Sequence, residues 1–183
     1  TPNLDALRAE ALHFTRMYAT GTRTARGIEA VVAGFPPSPS LSVLKLPEAR
    51  HEFLTLASLL REHGYSTEFI YGGVANFDDM RSFFLGNGFD RVIELRDFVD
   101  PAFVATWGAS DEDLVVRANE EFRKERDRPF FALLLSSSNH DPFEIPAGRI
   151  EPYNAPLHTR ENAIKYADYA IGRLFELARR EAY

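Results

Sequence analysis

The segment from Pro129 to Ser137 constrains the fold of this chain more than any other. It contains six consecutive apolar residues, FFALLL at 130–135, and a continuous run of this length predicts a strand covered on both faces. The run is far too short to cross a bilayer. Shorter strands are predicted at Ser66–Tyr71 and Arg91–Glu94, and His13–Tyr18 is predicted to be a short strand or an extended segment.

Helical segments alternate with these strands. Apolar spacing, together with start and stop residues, predicts helices over 3–13, 28–33, 54–63, 78–85, 110–126 and 159–180. Thr55 and Ser110 are predicted to start two of them, and the proline- and serine-rich segment 34–40 is predicted to be a loop. This alternation indicates an α/β layered fold with a mostly parallel central sheet, helices on both faces, and a single domain over residues 1–183.

Composition narrows the function classes. The chain has 183 residues, 45% of them hydrophobic, and its net charge of −6 without a basic block argues against a nucleic-acid surface. It has no cysteine, which excludes disulfides, thiolate metal sites and a cysteine nucleophile, modified or not. The first residues are TPNLD, without methionine or a signal-peptide pattern, as expected for a piece of a longer protein.

The turn Gly21–Gly27, with the sequence GTRTARG, is the strongest candidate for chemistry. A hydroxyl here would have an arginine on either side and the N–H groups of the following helix behind it, and a helix N-terminus stabilises an anion. Thr24 is therefore the candidate nucleophile for attack at phosphorus. The alternative is that Thr24 only caps the helix, as threonine often does.

Further polar residues follow predicted strands, where functional residues of parallel sheets gather. His140, after the apolar strand, could contact a phosphate oxygen, donate a proton to a leaving group or bind a metal; alternatively it only holds its own loop together. Tyr71 ends the first predicted strand, just before two glycines. Asp78 and Asp79 could bind a cation or a substrate hydroxyl, or could charge and cap the next helix. Trp107 is a candidate wall of a sugar or lipid-headgroup pocket.

No stretch of the sequence groups the carboxylates and histidines that a complete metal site requires. An unassisted threonine is a poor nucleophile, because its hydroxyl needs a base or a metal to ionise. Either Thr24 is not catalytic, or the groups that activate it lie outside these residues.

A family resemblance rests on motifs that run through the whole chain. They are TPNLD at 1–5, YATGTRTARGIEA at 18–30, YGG at 71–73 with FDDM at 77–80, NGF at 87–89, WG at 107–108 with DED at 111–113, SNH at 138–140 with PF at 142–143, and KYADYA at 165–170. In this order they resemble the lipoteichoic acid synthase-like, sulfatase-type branch of the alkaline phosphatase superfamily, especially its Gram-negative phosphoglycerol transferases and sulfatases. The resemblance implies an alkaline-phosphatase-like α/β fold, truncated at both ends in this chain.

The resemblance also implies a mechanism. Thr24 matches a threonine that takes up a phosphoglycerol group covalently and ligates a divalent cation, usually Mn²⁺, with Mg²⁺ or Zn²⁺ in related enzymes. Arg23 matches a basic residue beside it, and His140 matches a histidine that contacts the substrate phosphate. Tyr71 and Asp78 occupy substrate-contact positions where synthases have histidine and tryptophan, which departs from the pattern for a teichoic-acid substrate.

The family's other metal ligands are an acidic residue and an Asp-His pair, expected outside this chain, before Thr1 and after Tyr183. The implied partners are a phospholipid headgroup or a glycan acceptor. The implied location is the extracytoplasmic, periplasmic side of the inner membrane, in a membrane-anchored bacterial protein. Two other functions fit the same residues: a phosphatase, phosphodiesterase or sulfatase-like hydrolase that uses water, and a non-catalytic domain that binds headgroups or glycans. The 183 residues by themselves are expected to be inactive.

Overall fold

The computed structural model describes residues 1–36, 38–181 and 183, and its centre is a parallel three-stranded sheet. The strands are β1 (Ser66–Tyr71), β2 (Arg91–Ile93) and β5 (Phe130–Leu135). β1 lies in the middle and pairs with β2 on one side and, over its whole length, with β5 on the other. Because all three strands are parallel, their carboxyl ends lie at one edge of the sheet. A separate antiparallel hairpin joins β3 (Val104–Ala105) to β4 (Gly108–Ala109).

Helices cover both faces of the sheet. In the described residues they are α1 (Pro2–Leu7), α2 (Thr24–Ala33), α3 (Leu56–Glu62), α4 (Met80–Gly86), α5 (Asp111–Phe122) and α6 (Arg160–Ala178). Short 3₁₀ turns occur at 43–45, 47–50, 77–79 and 95–97. Side chains of α2, α3 and α4 pack with Phe69 of β1 on one face, and those of α5 pack with Ile70 on the other. The predicted α/β fold, with a parallel sheet and helices on both faces, is confirmed.

The first helix is shorter than predicted. α1 ends at Leu7, and residues 11–18 form neither the rest of that helix nor the predicted strand. α1 has no buried residue, and a helix of this length depends on tertiary contacts. Its anchor is the Asp168 carboxylate of α6, which accepts hydrogen bonds from the N–H groups of Asn3 and Leu4 at 3.0 and 2.9 Å. Beyond Leu7 the side chains of the predicted helix are exposed, so burial of side chains does not stabilise a longer helix there.

β5 confirms the predicted strand and its coverage on both faces, although it lies at the edge of the sheet within the described residues. Each of its six residues is only half-buried, and within the described part of the chain β5 is an edge strand. Alternate residues reach the core on each face, while the outer edge lacks a partner strand there. A continuous apolar run indicates that both faces meet apolar surroundings, but it does not fix the strand's place in the sheet. The prediction of a strand covered on both faces is confirmed, and within the described residues the unpaired outer edge leaves each β5 residue half-buried.

Two predicted helix starts are set by side-chain caps. Thr55 accepts a hydrogen bond from the Ser58 N–H at 3.1 Å, and Ser110 accepts one from the Asp113 N–H at 3.2 Å. Each cap satisfies a backbone donor that the first turn of a helix leaves free. Both starts are therefore confirmed, although the helix after Ser110 ends at residue 122 rather than 126.

Candidate active site

A cavity of about 50 Å³ lies at the carboxyl ends of β1 and β5. Its lining residues are Thr24, Ala25, Tyr71, Phe77, Asp78, Met80, Trp107, Leu135, Ser136, Ser137 and His140. The structure thus brings together four of the five site residues that the family resemblance implies, Thr24, Tyr71, Asp78 and His140. The fifth, Arg23, is exposed and is not among the lining residues.

Thr24 is the first residue of α2 and is exposed at the cavity. Arg23 occupies the N-cap position, and among the described residues no side chain caps this helix. The interpretation of Thr24 as a helix cap is therefore wrong, because its hydroxyl makes no such bond. Within the described residues the N–H groups of Thr24 and Ala25 also make no hydrogen bond. The start of α2 thus presents a hydroxyl and free backbone donors together, which is an arrangement suited to an anion.

Arg26, the second arginine of the turn, has a structural role instead of facing the cavity. Its guanidinium forms an ion pair with Glu29 at 2.8 Å and also donates to the backbone carbonyl of Ser40. Glu29 is fully buried and accepts further hydrogen bonds from the Ser42 hydroxyl at 2.7 Å and the Val43 N–H at 2.9 Å. Burial alone would raise the pKa of Glu29, but these donors together lower it. The ionised carboxylate therefore fastens α2 to the segment that follows the loop.

Tyr71 is the last residue of β1, and Gly73 makes room for its ring. A side chain at Gly73 would place its Cβ 2.5 Å from Cζ of Tyr71 and 2.6 Å from the carbonyl oxygen of Trp107. Burial, followed by the nearby charge of Asp78, raises the pKa of the Tyr71 hydroxyl. Tyr71 is therefore a neutral wall of the cavity that can donate a hydrogen bond.

Asp78 and Asp79 both adopt left-handed backbone conformations, with φ of 53° and 59°. Such conformations are uncommon for residues other than glycine, and aspartate tolerates them better than most. Asp78 forms an ion pair with Lys45 at 2.7 Å, and Asp79 forms one with Arg50 at 2.6 Å. Asp79 is at the N-cap position of α4 but makes no cap bond. Within the described residues neither carboxylate caps α4 through a hydrogen bond, although Asp79 occupies the N-cap position, and each carboxylate pairs with a lysine or arginine of this chain.

His140 is exposed at the cavity and lies against Trp107. The centroids of the two rings are 3.9 Å apart, with an angle of 43° between their planes. Nδ1 of His140 is 2.9 Å from the backbone carbonyl oxygen of Asp141. A carbonyl only accepts, so Nδ1 carries the proton of this bond and Nε2 is left for other partners.

The loop that carries His140 is held by Asp111, which lies in the first turn of the helix predicted over 110–126. Asp111, buried at the start of α5, accepts hydrogen bonds from the N–H groups of Ser137 and Ser138 at 2.9 and 3.0 Å. The sequence signal for this role was present in the WG and DED motifs, but a local pattern does not indicate which distant loop an acidic residue will contact. Trp107 lines the cavity, as expected of a pocket wall.

A divalent cation needs several oxygen or nitrogen donors close together. In residues 1–36, 38–181 and 183, three or more His, Asp or Glu side chains nowhere come close enough to hold a metal ion. Thr24 has a free hydroxyl, but Asp78 is already paired with Lys45. These residues alone therefore do not fit a complete cation site. None of the described helices combines the length and the apolar character that crossing a membrane requires.

Comparison with known proteins gives the family. The family model described as Sulfatase matches residues 1–183, and the chain belongs to this family. A curated relative, phosphoglycerol transferase I of Xanthomonas campestris, is 31% identical over the whole of this chain, which spans 28% of that protein. The chain thus covers less than a third of the length of this relative.

Solved structures agree with the fold. A protein of the alkaline phosphatase superfamily from Vibrio parahaemolyticus matches with a TM-score of 0.97 and 55% identity, over 100% of this chain and 45% of that one. The lipoteichoic acid synthase LtaP of Listeria monocytogenes matches with a TM-score of 0.88 and 24% identity, over 98% of this chain and 46% of that one. The second likeness concerns the fold alone. The predicted resemblance to this superfamily is confirmed.

Proposed function

We propose that this chain supplies the nucleophile and the phosphate contacts of a phosphoglycerol transferase-like enzyme that forms a covalent threonine intermediate. The observation that carries the proposal is that Thr24 and His140, 116 positions apart in the sequence, line one cavity beside the free start of α2. The 31% identity to phosphoglycerol transferase I supports the same class of reaction. The proposed substrate is a phosphodiester such as the headgroup of a phospholipid.

The chemistry assigned to the chain has two steps. The Thr24 oxygen forms a bond to phosphorus, the bond from phosphorus to the leaving alcohol breaks, and the threonine proton ends on that alcohol. In the second step a glycan hydroxyl or water attacks the phosphothreonine ester, which releases Thr24 and returns its proton. Comparing the products formed with and without a glycan acceptor distinguishes a transferase from a hydrolase.

Three groups are proposed to offset the charge of the phosphate in both steps. They are the free N–H groups at the start of α2, Nε2 of His140 when that ring is protonated, and the exposed guanidinium of Arg23 next to Thr24. Tyr71 and Asp78, which line the same cavity, are proposed to contact the rest of the substrate.

A divalent cation, with Mn²⁺ expected first, remains part of the proposal. The Thr24 oxygen is the ligand that we assign to this chain, and further ligands would have to come from elsewhere in a longer protein. When bound there, the cation would promote ionisation of the hydroxyl. An extracytoplasmic location in a membrane-anchored protein, with a lipid headgroup or a glycan as partner, is likewise proposed.

The test is kinetic and uses the full-length protein that contains these residues. Thr24→Ala is expected to lower turnover of a phosphodiester substrate by at least about 1,000-fold, because the nucleophile is lost. Thr24→Ser keeps a hydroxyl and is the matched control, expected to retain measurable turnover. Undiminished turnover of Thr24→Ala with saturating metal would end the assignment.

A further inference from the structure

We propose that Trp107 is a positioning residue that fixes the tautomer and the ring plane of His140 through a carbonyl oxygen shared by both side chains. The indole Nε1–H donates to the backbone carbonyl of Asp141 at 2.8 Å, and Nδ1–H of His140 donates to the same oxygen at 2.9 Å. One acceptor with two lone pairs therefore joins the two rings. The close, tilted contact between the two rings, with centroids 3.9 Å apart, restricts rotation of the imidazole.

The carbonyl is well suited to selecting a tautomer. It cannot donate, so it stabilises only the form of His140 in which Nδ1 carries a proton. The indole N–H donates to the same oxygen and thereby restrains the Asp141 peptide, which keeps this acceptor within hydrogen-bond distance of Nδ1. As a consequence Nε2 is the imidazole nitrogen available to a ligand in the cavity: it accepts when the ring is neutral and donates to a phosphate oxygen when the ring is protonated, while Nδ1–H keeps its bond to the carbonyl in both forms.

Trp107 is itself held by neighbours on both sides. It is at the tip of the β3–β4 hairpin, and Phe77 packs edge-on against its ring with centroids 5.7 Å apart. The preceding residue, Thr106, donates its N–H to Glu144 at 2.8 Å, which ties the hairpin tip to the loop after His140. Ala109 of β4 donates to the carbonyl of Gly72 at 2.9 Å. The hairpin therefore bridges the end of β1 and the His140 loop, and it places the indole between them.

The direct test observes the tautomer and does not need activity. In the ¹⁵N-labelled chain at a pH where His140 is neutral, long-range ¹H–¹⁵N spectra are expected to show a single tautomer with the proton on Nδ1. His140→Gln assigns the signals by their loss. Trp107→Phe keeps a ring but removes the N–H, and Trp107→Ala removes both; each is expected to give a mixture of tautomers. Tyr153→Ala, which removes an aromatic side chain that is 75% exposed, is the control and should leave the signals unchanged.

Two results of this experiment would overturn the inference. One is a wild-type His140 with its proton on Nε2, and the other is an unchanged single tautomer in both Trp107 variants. Amide spectra of β1 and β5 report whether each variant is folded. If Trp107→Ala does not fold, the milder Trp107→Phe change still tests the inference.

A second arm rests on the proposed function and uses the full-length enzyme. Trp107→Phe is expected to lower kcat on the order of 10- to 100-fold with little change in KM, since a misplaced group costs that much. Combined with His140→Gln it should cost no more than His140→Gln alone. Additive losses would contradict positioning through His140. Relaxed tautomers with unchanged kcat would support the positioning role and contradict the proposed role of His140 in the reaction.

Discussion

Thr24 and Ser110 show at the scale of single residues how a hydroxyl at a helix start can have two different uses. The Ser110 oxygen accepts from the Asp113 N–H and from the Tyr166 hydroxyl, at 3.2 and 2.9 Å, and is buried. The Thr24 hydroxyl caps nothing and is exposed at a cavity. A threonine that contributes little to its own helix is free for chemistry.

This contrast predicts the stability of two variants. Ser110→Ala is expected to lower the free energy of unfolding by about 1 kcal/mol or more, since a cap bond is lost. Thr24→Ala should change it by less than about 0.5 kcal/mol, as for other exposed positions. Urea titrations of the 183-residue chain, followed by circular dichroism, measure both. A loss for Thr24→Ala as large as that for Ser110→Ala would show that Thr24 is structural after all.

At this scale the sequence identified the members of the site better than their partners. Thr24 is predictable from its place at a helix start between two arginines, and His140 from its place after a parallel strand; Tyr71 and Asp78 are implied as substrate contacts by the family resemblance. The pairing of Asp78 with Lys45 was not predicted, because ion-pair partners depend on how distant turns pack. The same holds for the inward turn of Arg26 toward Glu29, which leaves Arg23 as the exposed arginine of the motif.

At the scale of elements, α1 depends on one side chain of another helix. Asp168 is buried and accepts three hydrogen bonds, from the N–H groups of Asn3 and Leu4 and from the Asn3 side chain at 3.0 Å. Burial would raise the pKa of Asp168, but these donors together lower it. The apolar spacing of residues 3–13 predicted a longer helix, because spacing does not reveal where such an anchor lies.

We therefore expect Asp168→Ala to release α1 without disturbing the sheet. Amide hydrogen exchange in residues 2–7 should accelerate at least about tenfold, because bonds to a charged acceptor contribute about 1.5–3 kcal/mol each. Asp5→Ala, which removes an exposed carboxylate of α1, is the matched control and should change exchange little. Equal acceleration in β1 would mean that Asp168 stabilises the whole domain rather than this one element.

At the scale of the whole molecule, buried acids make opposite contributions to stability. Glu29 has a lowered pKa because its hydrogen bonds outweigh burial, whereas burial is the main cause that raises the pKa of Glu68, which the bond from Arg91 offsets only in part. Glu68 is buried between β1 and α5, near Glu121 and Glu125, and one of its oxygens makes no hydrogen bond within the described residues.

The pH dependence of each acid's contribution to stability follows from the difference between its pKa in the folded and unfolded states. A lowered pKa in the folded state gives stability that is present above the ordinary value near 4.5 and is lost as the pH falls through the folded value. A raised pKa gives stability at low pH that is lost as the pH rises through the folded value. Glu29→Gln should therefore cost about 2 kcal/mol or more at pH 7 and progressively less below about pH 4.5. Wild type should lose stability relative to Glu68→Gln as the pH rises from 4 to 7. Parallel pH profiles for the two variants, measured by denaturant unfolding, would contradict this assignment.

Much of the fold was predictable from periodicity, because alternating helices and strands leave few layered arrangements. The place of β5 in the sheet was not, since its apolar run is equally compatible with a central strand and with a half-buried edge strand. The convergence of the site followed from strand direction. The geometry of the His140 loop could not be predicted in this way, because it depends on hydrogen bonds from Trp107 and to Asp111, which lie far from the loop in the sequence.

The most direct measurement is peptide mass spectrometry of the full-length protein quenched during turnover of phosphatidylglycerol with Mn²⁺ present. We expect a glycerophosphoryl group on the peptide that contains Thr24, at that residue, and no such adduct in Thr24→Ala. A rapidly quenched, active enzyme with no adduct on Thr24, together with turnover by Thr24→Ala, would contradict the covalent role of this residue.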